Sequence, residues 1–251
     1  MKSHLFKSNF FLLLVSALFM GMSQQPLKLG FFSWFGLIPF IYVFIKLKNY
    51  KEIILFSFFW GIIYHLIVVF WLAFNIGTTN IASLISMILA VLVLSTNTIF
   101  ITIIWYKISK TFRKQTYFVF PFIWCSIEFI RSYGILGFPW VSISNSQTDY
   151  FYLVQNSEIV GIYGISFWVV LINIVLYLIV FEGKKLYLTA CILFFTPFVT
   201  GYLLYSSLQE SQIDNYKVTI IQPNINLIKK RDYNSRFENL DSLINASRQS
   251  I

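Results

Sequence analysis

Seven long apolar stretches occupy most of the first 206 residues, and they constrain the fold more than any other feature of the sequence. An α-helix needs about 20 mainly apolar residues to cross the hydrocarbon core of a bilayer. The sequence therefore predicts an all-α polytopic membrane protein with about seven transmembrane helices. The predicted spans lie near residues 5–22, 29–46, 53–74, 82–106, 117–132, 158–181 and 186–206.

The composition excludes an ordinary soluble domain. Of the 251 residues, 57% are hydrophobic and only 12% are charged, whereas about a quarter of the residues in a soluble domain are charged. The net charge of +9 would suggest nucleic-acid binding in a soluble protein. In a membrane protein, lysine and arginine more often determine orientation, so no nucleic-acid partner is expected.

Lysine and arginine lie mainly in alternate loops between the predicted spans. Counted over the loops and their flanks, eleven lie on one side and only two, Lys28 and Arg131, on the other. Because cytoplasmic loops are enriched in these residues, the N-terminus is predicted to be cytoplasmic and everything after about residue 207 to lie outside. The start of the chain is also similar to a signal peptide ending at Gly21-Met22-Ser23, but other spans follow at once, so the first helix is expected to be retained. Its cleavage would leave this orientation unchanged. The eleven residues are Lys2, Lys7, Lys46, Lys48, Lys51, Lys107, Lys110, Arg113, Lys114, Lys184 and Lys185.

Residues 207–251 are more polar than the rest of the chain. Lys217–Ile221 is typical of a short β-branched strand, which Pro223 would end. An amphipathic helix is predicted to follow, because apolar residues recur at helical spacing. These positions are Phe237, Leu240, Leu243 and Ile244. We therefore predict a transmembrane helical domain over 1–206, and over 207–251 the start of an extracytoplasmic α/β domain whose remainder is absent.

The connection between the fifth and sixth spans, Gly134–Phe151, is longer and more patterned than a turn between two helices requires. Gly137 and Pro139 are expected to turn the backbone, and Phe138 and Trp140 to enter the membrane interface. The polar run as far as Asp149 is expected to face water or an adjoining domain. Trp140 is either an aromatic interface anchor, as is common in membrane proteins, or part of an entrance for lipid.

Charged or titratable side chains are rare inside the predicted spans. Glu128 and Arg131 share a helix face, and intramembrane charges are candidates for function, so they form either a structural pair or part of a lipid site. His65 is either a neutral, hydrogen-bonded packing residue or a proton or ligand site. The candidate substrate-binding or lipid-entrance residues are Trp140, Phe138, Pro139, Glu128 and Arg131.

Together these motifs resemble the apolipoprotein N-acyltransferases of bacterial envelopes, over essentially the whole chain. The segment from Val218 to Ile225 resembles the opening strand of that family's carbon-nitrogen hydrolase (nitrilase-like) domain. The matching positions in the membrane part are Trp60-Gly61, Trp71, Trp124, Glu128, Arg131, Gly137-Phe138-Pro139-Trp140, Ser146-Gln147 and Gly161-x-Tyr163-Gly164-x-Ser166-Phe167.

The resemblance implies eight spans in the bacterial cytoplasmic (inner) membrane, with the nitrilase-like domain outside between spans seven and eight. It also implies phospholipid and diacylated lipoprotein as partners. An acyl chain would pass from the phospholipid to a cysteine thiol, and then to the α-amino group of the lipoprotein's N-terminal diacylglyceryl-cysteine. No cofactor or metal is expected.

The catalytic Glu, Lys and Cys that the resemblance implies are expected beyond Ile251. Cys125 and Cys191 lie within apolar runs, so no catalytic residue is assigned to this chain. The sequence is interpreted as the membrane moiety of an acyltransferase that ends before its catalytic residues and is inactive alone. The alternatives are a non-catalytic lipid-binding membrane module or a scaffold for a separately encoded nitrilase-like chain. A small transporter is disfavoured, because paired internal repeats are not visible.

Overall fold

The computed structural model describes residues 2–112, 116–134, 137–207, 218–225, 230 and 232–249. The α-helices of these residues are α1 (Lys2–Met22), α2 (Ile38–Lys46), α3 (Tyr50–Val69), α4 (Asn80–Phe112), α5 (Thr116–Arg131), α6 (Phe151–Gln155), α7 (Ser157–Glu182), α8 (Tyr187–Ser207) and α9 (Arg236–Gln249). Short 3₁₀ helices occupy Gly30–Trp34, Phe70–Phe74, Pro139–Val141 and Ile143–Gln147.

Helical structure is found at the position of every predicted span. Four segments are long and apolar enough to cross a membrane, namely Tyr50–Phe74, Asn80–Phe112, Ser157–Glu182 and Tyr187–Ser207. Phe6–Met22 and Gly30–Lys46 are shorter apolar helices, and α5 has 16 residues. The prediction of an all-α membrane protein is therefore confirmed, whereas the number of seven spans stays a prediction.

The second predicted span is not one helix. Gly30–Trp34 forms a 3₁₀ turn, and α2 begins only at Ile38, with Pro39 in its first turn. A proline inside a helix removes a backbone hydrogen bond and clashes with the preceding turn, whereas in the first turn it removes nothing. The predicted span at 29–46 is therefore helical but interrupted, because a new helix begins next to the proline.

Aromatic side chains form the centre of the bundle, where α3 packs against both α1 and α4. The ring centroid of Trp60 lies 5.0 Å from that of Phe40 and 6.0 Å from that of Trp124. The Trp60 indole Nε1 donates to Ser16 Oγ at 3.1 Å, and this hydroxyl donates to Gly36 O at 2.7 Å. The polar edge of the buried indole is therefore hydrogen-bonded, as burial of a tryptophan requires.

Gly61 lets α3 and α4 approach closely. A Cβ at this position would lie 3.0 Å from the Cα of Ser95, so a larger residue would push the two helices apart. Small residues at such contacts are typical of helix packing in membranes. The Trp60-Gly61 motif therefore has a packing explanation.

Large apolar side chains remain exposed on α4 and α8. Leu89, Phe100 and Phe195 are each more than half exposed, although they belong to long apolar helices. Water-soluble proteins rarely expose apolar patches of this extent. These helix faces are suited to contact with lipid.

The described part of the predicted strand, Val218–Ile221, is not paired with another strand. Lys217 lies outside the described residues, and Val218–Ile221 has no regular secondary structure. A strand needs a hydrogen-bonded partner, and no other strand is present among the described residues to pair with it. The strand is therefore not confirmed among the described residues and stays a prediction.

The predicted helix in the tail is present as α9, and its apolar face is uncovered. No residue of α9 is buried, and the side chain of Phe237 is 77% exposed. Leu240 and Ile244 are also exposed on the same helix. The described residues leave this face without a packing partner.

Candidate functional site

The segment between α5 and α6, which we call the α5–α6 connection, is described over residues 132–134 and 137–150 and is compact. Phe138 N donates to Arg131 O at 2.9 Å, and Gly137 N donates to Gly134 O at 3.0 Å. The first of these bonds uses a carbonyl group that the end of α5 would otherwise leave unpaired. Gly134 has a φ of +83°, a conformation that favours glycine. The sequence pattern in this region therefore encodes a defined structure.

One side of the connection carries the exposed ring of Trp140 and the half-buried ring of Phe138. Trp140 is 63% exposed, and its ring centroid lies 6.0 Å from that of Trp71 and 5.1 Å from that of Phe138. Pro139 is exposed between them and begins the 3₁₀ turn. We call Phe138, Trp140 and Trp71 the aromatic edge. Three of the five predicted site residues thus lie together here.

The other side of the connection is buried, and this corrects the expectation that the polar run would face water. Ser146 and Gln147 are both fully buried. Gln147 Nε2 donates to Ser33 Oγ at 2.7 Å and to Gly30 O at 3.2 Å, and Ser146 Oγ donates to Ser33 Oγ at 3.1 Å. The polar side chains face inward because the Gly30–Trp34 turn provides hydrogen-bond partners. Thr148 and Asp149 are the exposed end of the run.

Gly30 is required by this contact. A Cβ on Gly30 would lie 2.0 Å from the carbonyl oxygen of Ser146, which is far inside van der Waals contact. The turn and the connection can approach only because position 30 has no side chain. This close approach is what brings Ser33 within hydrogen-bond distance of Gln147.

Glu128 attaches the connection to α5. Its side chain is only 2% exposed, and its Oε1 accepts hydrogen bonds from Trp124 Nε1 at 3.0 Å and from Ile143 N at 2.9 Å. The first bond orients the carboxylate within α5, and the second holds the backbone of the connection. Glu128 is therefore a structural anchor for the segment that carries the aromatic edge.

Arg131 does not form the predicted pair with Glu128. Glu128 Oε2 and Arg131 Nε and Nη2 are buried atoms without a hydrogen-bond partner among the described residues. The two side chains instead line one cavity, together with His65 of α3. Glu128 and Arg131 lie three positions apart on one face of α5, but they do not pair, because the carboxylate is turned towards Trp124 and Ile143.

Two residues that the sequence analysis missed hold the connection from the side of α1 and α3. Gln24 Nε2 donates to Tyr64 Oη at 3.3 Å and to Ser142 O at 3.4 Å, and Tyr64 Oη donates to Val141 O at 3.3 Å. The carbonyl groups they contact belong to the backbone, which carries no residue-specific signal. The only signal in the sequence was a glutamine immediately after an apolar helix.

The Tyr163–Phe167 motif of α7 completes the site. Ser166 is fully buried, and its Oγ accepts a hydrogen bond from Ser144 N at 3.0 Å. Tyr163 Oη donates to Ser132 Oγ at 2.8 Å. Gly161 has a φ of +64° inside α7, which favours glycine and breaks the regular helix before the motif. Two sequence blocks that are well separated along the chain therefore meet at the connection.

Neither cysteine is near the aromatic edge by any described contact. Cys125 is partly buried in α5, and its thiol donates to Tyr163 O at 3.3 Å, whereas Cys191 is exposed on α8. Over the described part of the chain, no group of three or more His, Cys, Asp or Glu side chains is arranged to hold a metal ion.

The fold and this site define a class of protein: a helical membrane protein in which buried hydrogen bonds hold the α5–α6 connection against α3, α5, α7, the Gly30–Trp34 turn and Gln24 after α1. The chain belongs to the apolipoprotein N-acyltransferase family, because residues 16–175 match the family model described as the apolipoprotein N-acyltransferase N-terminal domain. This match includes the whole α5–α6 connection and both motifs that meet there.

Individual relatives agree with this assignment. The apolipoprotein N-acyltransferase of Chlorobaculum tepidum is 24% identical over 261 residues, covering 99% of this chain and 48% of the relative. That of Pasteurella multocida is 23% identical, covering 96% and 47%, and that of Rickettsia prowazekii is 30% identical, covering 54% and 28%. The chain thus spans about half the length of the first two relatives.

Proposed function

We propose that this chain forms the membrane-embedded part of an apolipoprotein N-acyltransferase, which moves an acyl chain from a phospholipid to the N-terminal diacylglyceryl-cysteine of a lipoprotein. The observation that carries the proposal is the α5–α6 connection, fixed on its buried side and exposing aromatic rings on the other. It lies inside the region that matches the family. A rigid aromatic edge suits a position at the level of the lipid headgroups, where tryptophan is enriched.

In this proposal the aromatic edge lines the entrance through which a phospholipid reaches the catalytic part of the enzyme. Phe138 and Trp140 would contact the acyl chains near the ester groups, while Pro139 fixes the backbone between them. Glu128 acts as a positioning residue, since its carboxylate bonds to the connection and not to an exposed surface. Arg131 lies at the same end of α5 and lines the cavity beside it.

The reaction itself proceeds in two steps. A carboxylate base takes the proton of a cysteine thiol, and the thiolate attacks the phospholipid ester carbonyl; a thioester forms, the ester C–O bond breaks, and the lysophospholipid leaves with the proton from the base. The lipoprotein's α-amino group then attacks the thioester; an amide forms, the C–S bond breaks, and the proton lost from the amine passes through the base to the departing thiolate. A lysine stabilises the oxyanion in both steps.

We assign none of these reacting groups to the described residues. The Cys125 thiol is bonded to a backbone carbonyl between α5 and α7, and Cys191 lies on an apolar helix face. A nitrilase-like catalytic part must therefore supply the thiolate, the base and the lysine, either on the same polypeptide or as a separate chain. The segment around Val218–Ile225 would be its first strand once a sheet is available to pair with it.

The orientation proposed for this function follows the distribution of basic residues. The lysine-rich loops would be cytoplasmic, and the aromatic edge would face the outside of the bacterial cytoplasmic membrane with about seven spans beneath it. Among the lysines, Lys46 lies 3.3 Å above the ring of Tyr42, and Lys110 lies over the rings of Tyr50 and Tyr106. These basic and aromatic side chains suit the opposite interface.

Reconstitution tests the proposal. The chain would be placed in liposomes of bacterial phospholipid with an acyl label, together with a diacylated lipopeptide, with and without the purified nitrilase-like domain of a relative. We expect triacylated product by mass spectrometry only when the domain is added, and less product with Trp140→Ala. Product from the chain alone that disappears with Cys125→Ser or Cys191→Ser would overturn the assignment of the reacting groups.

A second function is favoured by the tail. Because α9 leaves Phe237 and Leu240 exposed, the chain would serve as a non-catalytic membrane scaffold that docks a separate nitrilase-like chain on this face. Phe237→Ser would then weaken co-purification with the added domain, while Trp140→Ala would leave it unchanged. Failure to bind the domain at all would exclude this scaffold role.

A further inference from the structure

One internal cavity, between α3, α4, α5 and the turn at Pro139–Val141, is lined by polar atoms that lack partners. His65 Nε2, Glu128 Oε2 and Arg131 Nε and Nη2 are all buried and have no hydrogen-bond partner among the described residues. All three residues line the same cavity, and the side chains of His65 and Glu128 are each only 2% exposed. A buried polar atom without a partner is costly, so this concentration requires an explanation.

The chemistry of each atom follows from the bonds its group already makes. His65 Nδ1 lies 2.7 Å from the carbonyl oxygen of Gly61, which can only accept, so Nδ1 carries the proton. In the neutral ring, Nε2 is then an acceptor with its lone pair directed away from that bond. Glu128 Oε1 accepts two hydrogen bonds, whereas Oε2 has no partner with hydrogen-bond geometry among the described residues. Oε2 is therefore the acceptor of the carboxylate that faces the cavity.

Arg131 contributes hydrogen-bond donors to the cavity. Its Nε and Nη2 carry only protons and can only donate. The cavity therefore combines two free acceptors, on His65 and Glu128, with two free donor groups on one guanidinium. A water molecule has two protons to donate and two lone pairs to accept with, so its hydrogen-bonding capacity matches this set one for one.

The size of the cavity agrees with this match. Its free space is about 10 Å³, close to the minimum that holds one water molecule. Its other walls are formed by apolar side chains such as Trp60, Trp124 and Ile127 and by three polar residues, Tyr64, Asn97 and Thr98. None of these three carries a buried polar atom without a partner among the described residues. We propose that one water molecule binds in this cavity, donating to His65 Nε2 and Glu128 Oε2 and accepting from the Arg131 guanidinium.

Other occupants fit less well. A metal cation would meet the guanidinium, and an inorganic anion would meet the Glu128 carboxylate. A lipid hydroxyl has a single proton and would leave either His65 or Glu128 unpaired. The water is thus the occupant whose chemistry and size satisfy all four atoms, and buried waters make about three hydrogen bonds on average.

This site goes beyond the proposed function, since it concerns how the membrane part is held together. Glu128 would use Oε1 to bind the α5–α6 connection and Oε2 to bind the water, and the water would reach His65 on α3. The carboxylate thereby joins α5, the connection and α3 in one hydrogen-bond network. His65 is then neither a simple packing residue nor a catalytic one, but a ligand of the water.

Hydroxyl-radical footprinting by X-ray radiolysis, with mass spectrometry, tests the proposal on the intact chain in detergent. Radicals formed from a bound water oxidise side chains next to it even when these are buried. Trp124, which lines this cavity, is 4% exposed. Trp34 is 5% exposed and lines another cavity of about 10 Å³, where the side chain of Asn156 is already hydrogen-bonded. We expect several-fold faster oxidation of Trp124 than of Trp34, and equal rates would overturn the proposal.

A variant and a direct observation complete the test. His65→Leu removes one acceptor and fills the cavity, and should lower Trp124 oxidation towards the rate of Trp34. If that variant does not fold, a structure of the unchanged protein that resolves ordered waters decides the matter. We expect one density peak within hydrogen-bond distance of His65 Nε2, Glu128 Oε2 and Arg131. A dry cavity, or a direct ion pair between Glu128 and Arg131, would contradict the water.

Discussion

At the scale of single residues, Glu128 shows how an intramembrane carboxylate can serve structure. One of its oxygens already accepts hydrogen bonds from an indole and from a backbone N–H, so these bonds hold the side chain in place without any substrate. Charged residues in membranes usually face the bundle interior and pair with polar groups. Glu128 follows this rule with a backbone group as its main long-range partner.

Glu128→Ala is therefore expected to destabilise the protein strongly. The substitution leaves Trp124 Nε1 and Ile143 N buried without an acceptor, and each such loss costs about 1–3 kcal/mol. Glu128→Gln is the matched control, because its amide oxygen can still accept both bonds. Thermal unfolding in detergent should show a large fall in midpoint for alanine and a smaller one for glutamine. Equal midpoints for Glu128→Ala and the unchanged protein would contradict the anchoring role.

Asp232 offers a residue-scale prediction outside the membrane. Ser235 Oγ donates to its Oδ2 at 2.9 Å and Asn234 N donates to its Oδ1 at 3.1 Å, and these bonds lower the pKa of Asp232. Because the folded pKa is depressed, the stabilisation exists above the unfolded pKa of about 3.9 and is lost as the pH falls through the folded value. NMR signals at the start of α9 should therefore change on acidification, and Asp232→Asn should abolish that change.

At the scale of elements, the site depends on close approach between turns and not on helix contacts alone. The Gly30–Trp34 turn contacts the α5–α6 connection through Gly30 and Ser33. Since both turns are irregular, the contact is fixed by backbone geometry and by the lack of a side chain at Gly30.

Gly30→Ala should separate these two elements. The added Cβ would lie 2.0 Å from Ser146 O, so the connection must move and the bond from Gln147 to Ser33 is lost. We expect a lower unfolding temperature and faster proteolysis within residues 137–150. Phe31→Ala, at an adjacent exposed position, is the control and should leave cleavage nearly unchanged. Similar cleavage in both variants would refute the role of Gly30.

At the scale of the whole molecule, the orientation remains to be tested. The basic residues predict that Lys48, Lys110 and Lys184 are cytoplasmic and that Asn75, Asp149 and Asn234 are outside. Reporter fusions that are active on one side only should divide the six positions in this way. A reversed pattern at two or more of them would contradict the predicted topology.

The helices could be predicted because a long apolar run has few alternatives in a membrane. The break before Pro39 was missed because the apolar run continues through it. Burial of Ser146 and Gln147 was also missed, since polar residues in a connection usually face water and their partners lie more than 100 positions away. Glu128 and Trp140 were singled out by their residue types, but the hydrogen bond from Ile143 N could not be predicted, because it involves a backbone group.

The central claim is that the aromatic edge meets phospholipid, and photo-crosslinking tests it most directly. The chain would be placed in liposomes with a phospholipid that carries a diazirine near the ester end of one acyl chain, and the crosslinked peptides would be mapped by mass spectrometry. We predict preferential crosslinks to Trp140, Phe138 and Trp71. Trp140→Ala should remove the crosslinks at this edge. Phe195→Ala, on the lipid-facing side of α8, is the control and should leave them unchanged. Crosslinks no more frequent at the aromatic edge than along α4 and α8 would contradict the claim.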